Sequence, residues 1–106
     1  MDAGYVYWVE GTWDQPDNAV QRVPRGGGPL EAVTNPGDAS GYAIALDATH
    51  VYVADNYGNS IWRVPKAGGN LETLATNQPY PFDIAVDATD VYFTSETTAE
   101  LRVVPK

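Results

Sequence analysis

Apolar and β-branched residues in this chain cluster in strand-like runs of about five or six residues that end at turn residues. Val, Ile, Tyr, Trp and Thr dominate the runs, which is the composition of strands. No stretch keeps a 3.6-residue period, so no helix is needed. Three phrases recur in one order. The first is Val6-Tyr7-Trp8, Val51-Tyr52-Val53 and Val91-Tyr92-Phe93. The second is Arg22-Val23-Pro24-Arg25, Arg63-Val64-Pro65-Lys66 and, with its arginine displaced by one position, Arg102-Val103-Val104-Pro105-Lys106. The third is Ile44-Ala45-Leu46-Asp47-Ala48-Thr49 and Ile84-Ala85-Val86-Asp87-Ala88-Thr89. A weaker pair is Leu30-Glu31-Ala32-Val33 with Leu71-Glu72-Thr73-Leu74.

The copies lie 40 residues apart for Tyr52 to Tyr92 and for Asp47 to Asp87, and 41 apart for Arg22 to Arg63. Chance does not keep several phrases in one order at one period. Each unit therefore reads as four antiparallel strands. The inner first strand is the Ile-Ala-Leu/Val-Asp phrase, followed by the Val-Tyr phrase, the Arg-Val-Pro phrase and an outer Leu-Glu strand. The Asp-Ala-Thr segments predict tight turns, with Asp accepting from nearby backbone. Gly26-Gly27-Gly28 and Ala67-Gly68-Gly69 predict turns that use positive φ. Ala43, Ala45 and Ala85 suit a crowded axis. Pro24, Pro65 and Pro105 close the third strand, where a missing donor costs little. Four short strands every ~40 residues predict the blade of an all-β propeller. The 106 residues then form one domain, with blade segments at about 4–41, 42–81 and 82–106.

At this point the residues resemble a known family. Val51-Tyr52-Val53-Ala54-Asp55, Ile61-Trp62-Arg63-Val64, Gly68 to Leu74 and Pro81 to Asp87 look like the YWTD-type repeat. That repeat builds six-bladed propellers of the low-density-lipoprotein-receptor kind, and related bacterial repeats are similar. The signature tetrad is altered here, to Tyr7-Trp8-Val9-Glu10, Tyr52-Val53-Ala54-Asp55 and Tyr92-Phe93-Thr94-Ser95. The resemblance implies the fold, a protein- or ligand-binding role, and a secreted or periplasmic setting. Some propeller relatives are hydrolases or lyases, and fold alone does not choose among these.

The count of strands is ten, or two and a half blades, which cannot close a ring. Two expectations follow. Either several copies complete a propeller head to tail, as a homo-oligomer, or the chain is a segment of a longer propeller.

Charge narrows the partners. The net charge of -8 repels phosphate backbones and anionic membranes, so neither nucleic acid nor membrane is expected. There is no cysteine, which removes disulfides and thiolate metal sites. No apolar run approaches the ~20 residues of a membrane span. No basic-then-apolar leader opens the sequence, so either the protein is cytoplasmic or a leader has been removed.

Candidate chemistry lies where the copies differ. Those segments are 11–18, 35–41, 56–59, 77–81 and 96–99, all at one end of the blades, whereas the turns at the other end are nearly identical. Variable loops on a fixed scaffold are the usual place for binding. Trp13, Tyr57 and Tyr80 would stack on a sugar ring or anchor a protein side chain. The competing reading is that they cover the rim of the core or an oligomer contact. Asp14, Asp17 and Asp55 complete the ligand-binding candidates. With Asp38 they carry enough oxygens for Ca²⁺, yet the spacing is not that of an EF-hand, and solvated turn carboxylates are the plainer reading. No metal and no cofactor is expected. Arg22 with Glu31 and Arg63 with Glu72 predict structural cross-strand ion pairs. His50, the only histidine, reads as an exposed turn residue. With no second histidine, no cysteine, no Gly-x-Ser-x-Gly elbow and no phosphate loop, a non-enzymatic binding module is expected. The alternatives are a self-assembling structural piece and a hydrolase or lyase fragment with carboxylates at the propeller centre, where Asp55→Asn would be the test.

Overall fold

The structure is a computed structural model that describes residues 4–9, 20–33, 43–55, 59–78, 81–95 and 99–106. It contains ten strands: β1 (Tyr5–Val9), β2 (Val20–Pro24), β3 (Glu31–Ala32), β4 (Ala43–Leu46), β5 (His50–Asp55), β6 (Ser60–Pro65), β7 (Glu72–Ala75), β8 (Pro81–Val86), β9 (Asp90–Ser95) and β10 (Glu100–Pro105). They form three antiparallel sheets in the orders β1-β2-β3, β4-β5-β6-β7 and β8-β9-β10. The middle sheet is the predicted four-stranded blade, with the small-residue strand β4 at its edge. The outer strands start one residue later than the phrases suggest, at Glu31 and Glu72. Leu71 lies outside the ladder and packs against the core instead.

Register aligns the repeats. Tyr7 pairs with Arg22, and Tyr52 with Arg63. In the third blade Tyr92 faces Val103, and Arg102 faces Phe93. Strand side chains alternate between faces, so the one-residue displacement of Arg102 moves it to the opposite face of its blade.

The core consists of two seams between blades. Tyr7, Val20 and Val33 of the first blade meet Val51, Val53, Trp62 and Val64 of the second. Tyr52, Ala54 and Ile61 of the second meet Ile84, Val91 and Phe93 of the third. Each buried Val, Ile or Phe side chain here contributes about 1.5–3 kcal/mol of transfer free energy. Burial along the second strand of each blade reports its neighbours. All of β5 from Val51 to Asp55 is buried, because the middle blade is covered on both faces. In β9, Val91, Phe93 and Ser95 are buried while Tyr92 and Thr94 are not, so only one face is covered.

The turns at the steady end repeat atom for atom. Asp47 Oδ1 accepts from the N–H groups of Thr49 (2.9 Å) and His50 (2.8 Å). Asp87 Oδ1 does the same for Thr89 (2.9 Å) and Asp90 (2.8 Å). Gly27 and Gly68 donate to the carbonyls of Pro24 and Pro65, each at 2.9 Å. Gly27, Gly28, Gly68 and Gly69 all adopt positive φ. His50 is a correction to the expected exposed turn: it opens β5, is half-buried, and its Nδ1 lies 2.7 Å from Thr49 Oγ1.

Candidate functional site

The described residues place two features at the ends of the blade stack: a set of cation seats along the steady rim and two uncovered blade faces. Both grow from the repeat.

The cation seats begin with the hairpin aspartates. Tyr52 Oη donates to Asp47 Oδ2 at 2.7 Å, and Tyr92 Oη donates to Asp87 Oδ2 at 2.6 Å. Tyr52 and Tyr92 are thus each tied to the aspartate five residues before them. The next blade then supplies a cation. Lys106 Nζ, just past Pro105, bonds Asp47 Oδ2 at 2.9 Å and sits 5.2 Å from the centroid of the Tyr52 ring. At the first seam Lys66 Nζ lies 5.5 Å from the Tyr7 ring centroid. Charge on an aromatic face adds to the Coulomb attraction. Lys66 and Lys106 occupy one repeat position, the residue after the proline. Arg25 occupies it in the first blade and is exposed.

The electrostatics follow from these bonds. Burial works against the charge on Asp47. The Lys106 ammonium, the Tyr52 hydroxyl and two backbone N–H groups outweigh it and hold the carboxyl far below its ordinary 3.8. Asp87, with the Tyr92 hydroxyl and the N–H groups of Thr89 and Asp90, is lowered to about 2. Burial first, then the Asp47 bond, pushes the Tyr52 hydroxyl up. The Lys106 ammonium is raised chiefly by its bond to Asp47.

The arginines behave as expected, and Arg22 does more. Arg22 Nη2 meets Glu31 Oε1 at 2.9 Å, and Arg63 Nε meets Glu72 Oε2 at 2.8 Å. Arg22 also crosses the seam: Nη1 donates to the Lys66 carbonyl at 3.0 Å, and its Cζ stands 4.0 Å from the Tyr5 ring centroid. Arg102, displaced to the other face, donates from Nη1 to Gln78 Oε1 at 3.2 Å. Its Nε is buried with no hydrogen-bond partner among the described residues.

The uncovered faces are the second feature. On the third blade Leu101 is 68% exposed, Val103 51% and Phe82 37%. Leu101 pairs with Thr94 in the register where Ile61 pairs with Ala54. Ile61 and Ala54 are fully buried, because the third blade covers them. Leu101 and Thr94 occupy the same places with no described strand over them. On the far side of the first blade Val6, Trp8 and Val23 are half-buried. Their repeat equivalents Val51, Val53 and Val64 are fully buried.

Of the residues singled out in the sequence, Trp13, Asp14, Asp17, Asp38, Tyr57 and Tyr80 lie outside the described residues. Asp55 is described, and it ends β5 rather than standing in a loop. It is buried, in register with Ser60, and engaged in contacts within the chain. Among the described residues no group of three or more His, Cys, Asp or Glu side chains is placed to hold a metal ion. The Asp–Tyr–Lys seats were not among the candidates that the sequence pattern offered. Their signal was present as Asp47 five residues before Tyr52, Asp87 five before Tyr92, and a basic residue directly after Pro24, Pro65 and Pro105.

A chain in a solved nidogen/laminin complex superimposes with a TM-score of 0.80 at 17% sequence identity. The match covers 94% of this chain and 38% of that one. That neighbour is a β-propeller. This chain folds as propeller blades. The expected YWTD-type propeller fold is supported at the level of architecture, and the chain spans 38% of the length of that neighbour. No protein-family model and no curated protein matches the chain.

Proposed function

We propose that this chain is a non-enzymatic, protein-binding module built on propeller blades. The observation that carries this is the open face of the third blade. It sets exposed Val103 opposite Tyr92 and exposed Leu101 opposite Thr94, with Phe82 exposed on the same blade and Asp87 bonded by the Tyr92 hydroxyl. An exposed apolar face edged by an ionised group is a surface for a protein partner. The similar solved structure is itself a complex of two proteins, which supports a protein rather than a small molecule as partner. The variable loops with Trp13, Asp14, Asp17, Tyr57 and Tyr80, beside Asp55, would add specificity at the other end of the blades. The hairpins favour a structural use of their polar groups. His50 is held by Thr49, and Asp47 by Tyr52 and Lys106.

A library of displayed random peptides selected on the folded chain tests the reading. Selected peptides should lose at least tenfold in affinity for the double variant Leu101→Glu/Val103→Glu, with its sheet signal in circular dichroism intact. Peptides that bind the variant as well as the original chain would overturn the assignment of this face.

A further inference from the structure

The repeat supplies a template for what covers the open face. In both internal seams a later blade lays an apolar face on the earlier one, and the residue after its proline reaches back over the earlier blade's tyrosine. At the first seam the apolar residues of the later blade are Val51, Val53 and Val64, and the cation is Lys66. At the second they are Val91 and Phe93, and the cation is Lys106. The first blade carries the matching set on its own uncovered side: Val6, Trp8 and Val23, with Arg25 after Pro24. The third blade carries the matching receptor: Leu101 and Thr94 at the places of Ile61 and Ala54, and the Asp87–Tyr92 pair at the place of Asp47–Tyr52. Asp47 is bonded by Lys106, whereas no cation is bonded to Asp87 among the described residues.

We propose that the partner of the open third-blade face is the first blade of a second copy of this chain, stacked head to tail, with Arg25 of the second copy seated on Asp87 and Tyr92. This rests on the assignment of that face as a binding surface. The seam would repeat the second internal one, with arginine in place of lysine, and a guanidinium takes a carboxylate and an aromatic face together. It would differ from the first internal seam in one respect. Val103 stands where Arg22 stands in the first blade, so the bond that Arg22 makes to the Lys66 carbonyl has no counterpart. The new seam is therefore drier, and it leans on apolar contact and on the single Arg25 seat. The contact is heterologous, since two different surfaces meet.

Heterologous contact has a distinctive test. Each copy offers one receptor face and one inserting face, so two variants blocked at opposite ends should pair with each other. Sedimentation equilibrium at micromolar concentrations should show a mass above the 11.5 kDa of one chain that rises with concentration. Arg25→Glu, at an exposed position, should weaken association at least tenfold, and so should Leu101→Glu/Val103→Glu. Mixed in equal amounts, the two variants should recover a species of twice the chain mass and no larger. A mass of 11.5 kDa at every concentration would overturn the proposal, as would association that Arg25→Glu leaves unchanged. So would a mixture that stays monomeric. If the chain is monomeric while selected peptides still depend on Leu101 and Val103, the face binds a different protein and only the second copy is excluded.

Discussion

Lys106 Nζ reaches 2.9 Å from Asp47 Oδ2 across the seam between the second and third blades. The residues are 59 positions apart, so the bond closes only when the blades stack. Both side chains are largely shielded, at 15% and 23% exposure. A carboxylate held this way links blade packing to pH.

Acid should loosen the fold through this bond and its relative in the third blade. Asp47 and Asp87 both titrate below their ordinary 3.8 in the folded chain, with Asp87 at about 2. A carboxyl depressed by folding stabilises the native state fully above its unfolded value. The contribution is lost as pH falls toward the folded value. The melting temperature should therefore hold near neutrality and fall between about pH 4 and about pH 2. Asp47→Asn should lower the neutral value and make the acid limb shallower. Thermal melts followed by circular dichroism at stepped pH check this. An acid limb of unchanged steepness in Asp47→Asn would show that the carboxylate is not the linked group.

Two tyrosines make the same bond in different surroundings. Tyr52 is 1% exposed and donates to Asp47, whereas Tyr92 is half-buried on the open face and donates to Asp87. Losing a bond to a buried charged acceptor costs more than losing one that water replaces. Tyr52→Phe should lower stability by about 1 kcal/mol, and Tyr92→Phe should lower it less. Urea unfolding of both variants gives the comparison, and equal losses would mean that burial does not strengthen the inner bond.

The contrast shows what could be read along the chain and what could not. The phrases around Tyr7, Tyr52 and Tyr92 were legible as strands because Val, Tyr, Trp and Phe fill short runs closed by turn residues. Arg22 with Glu31 and Arg63 with Glu72 were legible because hairpin pairing fixes who stands opposite whom. The Asp–Tyr bonds span five residues and also lay within reach of the sequence. The Lys106–Asp47 bond did not, because strand pairing says nothing about which rim of one sheet meets the next. Asp55 misled for a related reason. A carboxylate at the end of a phrase looks like a loop residue until the ladder is seen to run through Asp55 to its partner Ser60.

The glycine turns should differ in tolerance although their backbones match. Gly27 has φ of 92° and Gly68 has φ of 94°. A Cβ at Gly27 meets nothing within 4 Å among the described residues, whereas one at Gly68 lies 3.2 Å from the Val33 carbonyl oxygen across the first seam. Ala at either site carries a left-handed strain of about 1–2 kcal/mol. Gly68→Ala must in addition push the blades apart. It should be the more destabilising of the two by chemical denaturation, and its amide exchange at Val33 should quicken. Equal losses at the two sites would mean that the seam yields without cost.

The two faces of the third blade should respond differently to truncation. Phe93 on β9 is 1% exposed and packs in the second seam, while Leu101 on β10 points from the opposite face at 68% exposure. Truncating a buried phenylalanine loses its transfer free energy and leaves a cavity that neighbours only partly fill. Phe93→Ala should cost about 3–5 kcal/mol, enough to unfold a chain of marginal stability. Leu101→Ala removes a side chain already in water, so it should change the stability of the dilute single chain by about 0.5 kcal/mol or less. The cost at Leu101 should instead grow with protein concentration, because the side chain is buried only when a second blade arrives. Melts of Leu101→Ala and the original chain across a hundredfold range of concentration separate the two effects. A difference between them that stays constant over that range would place the role of Leu101 within one chain.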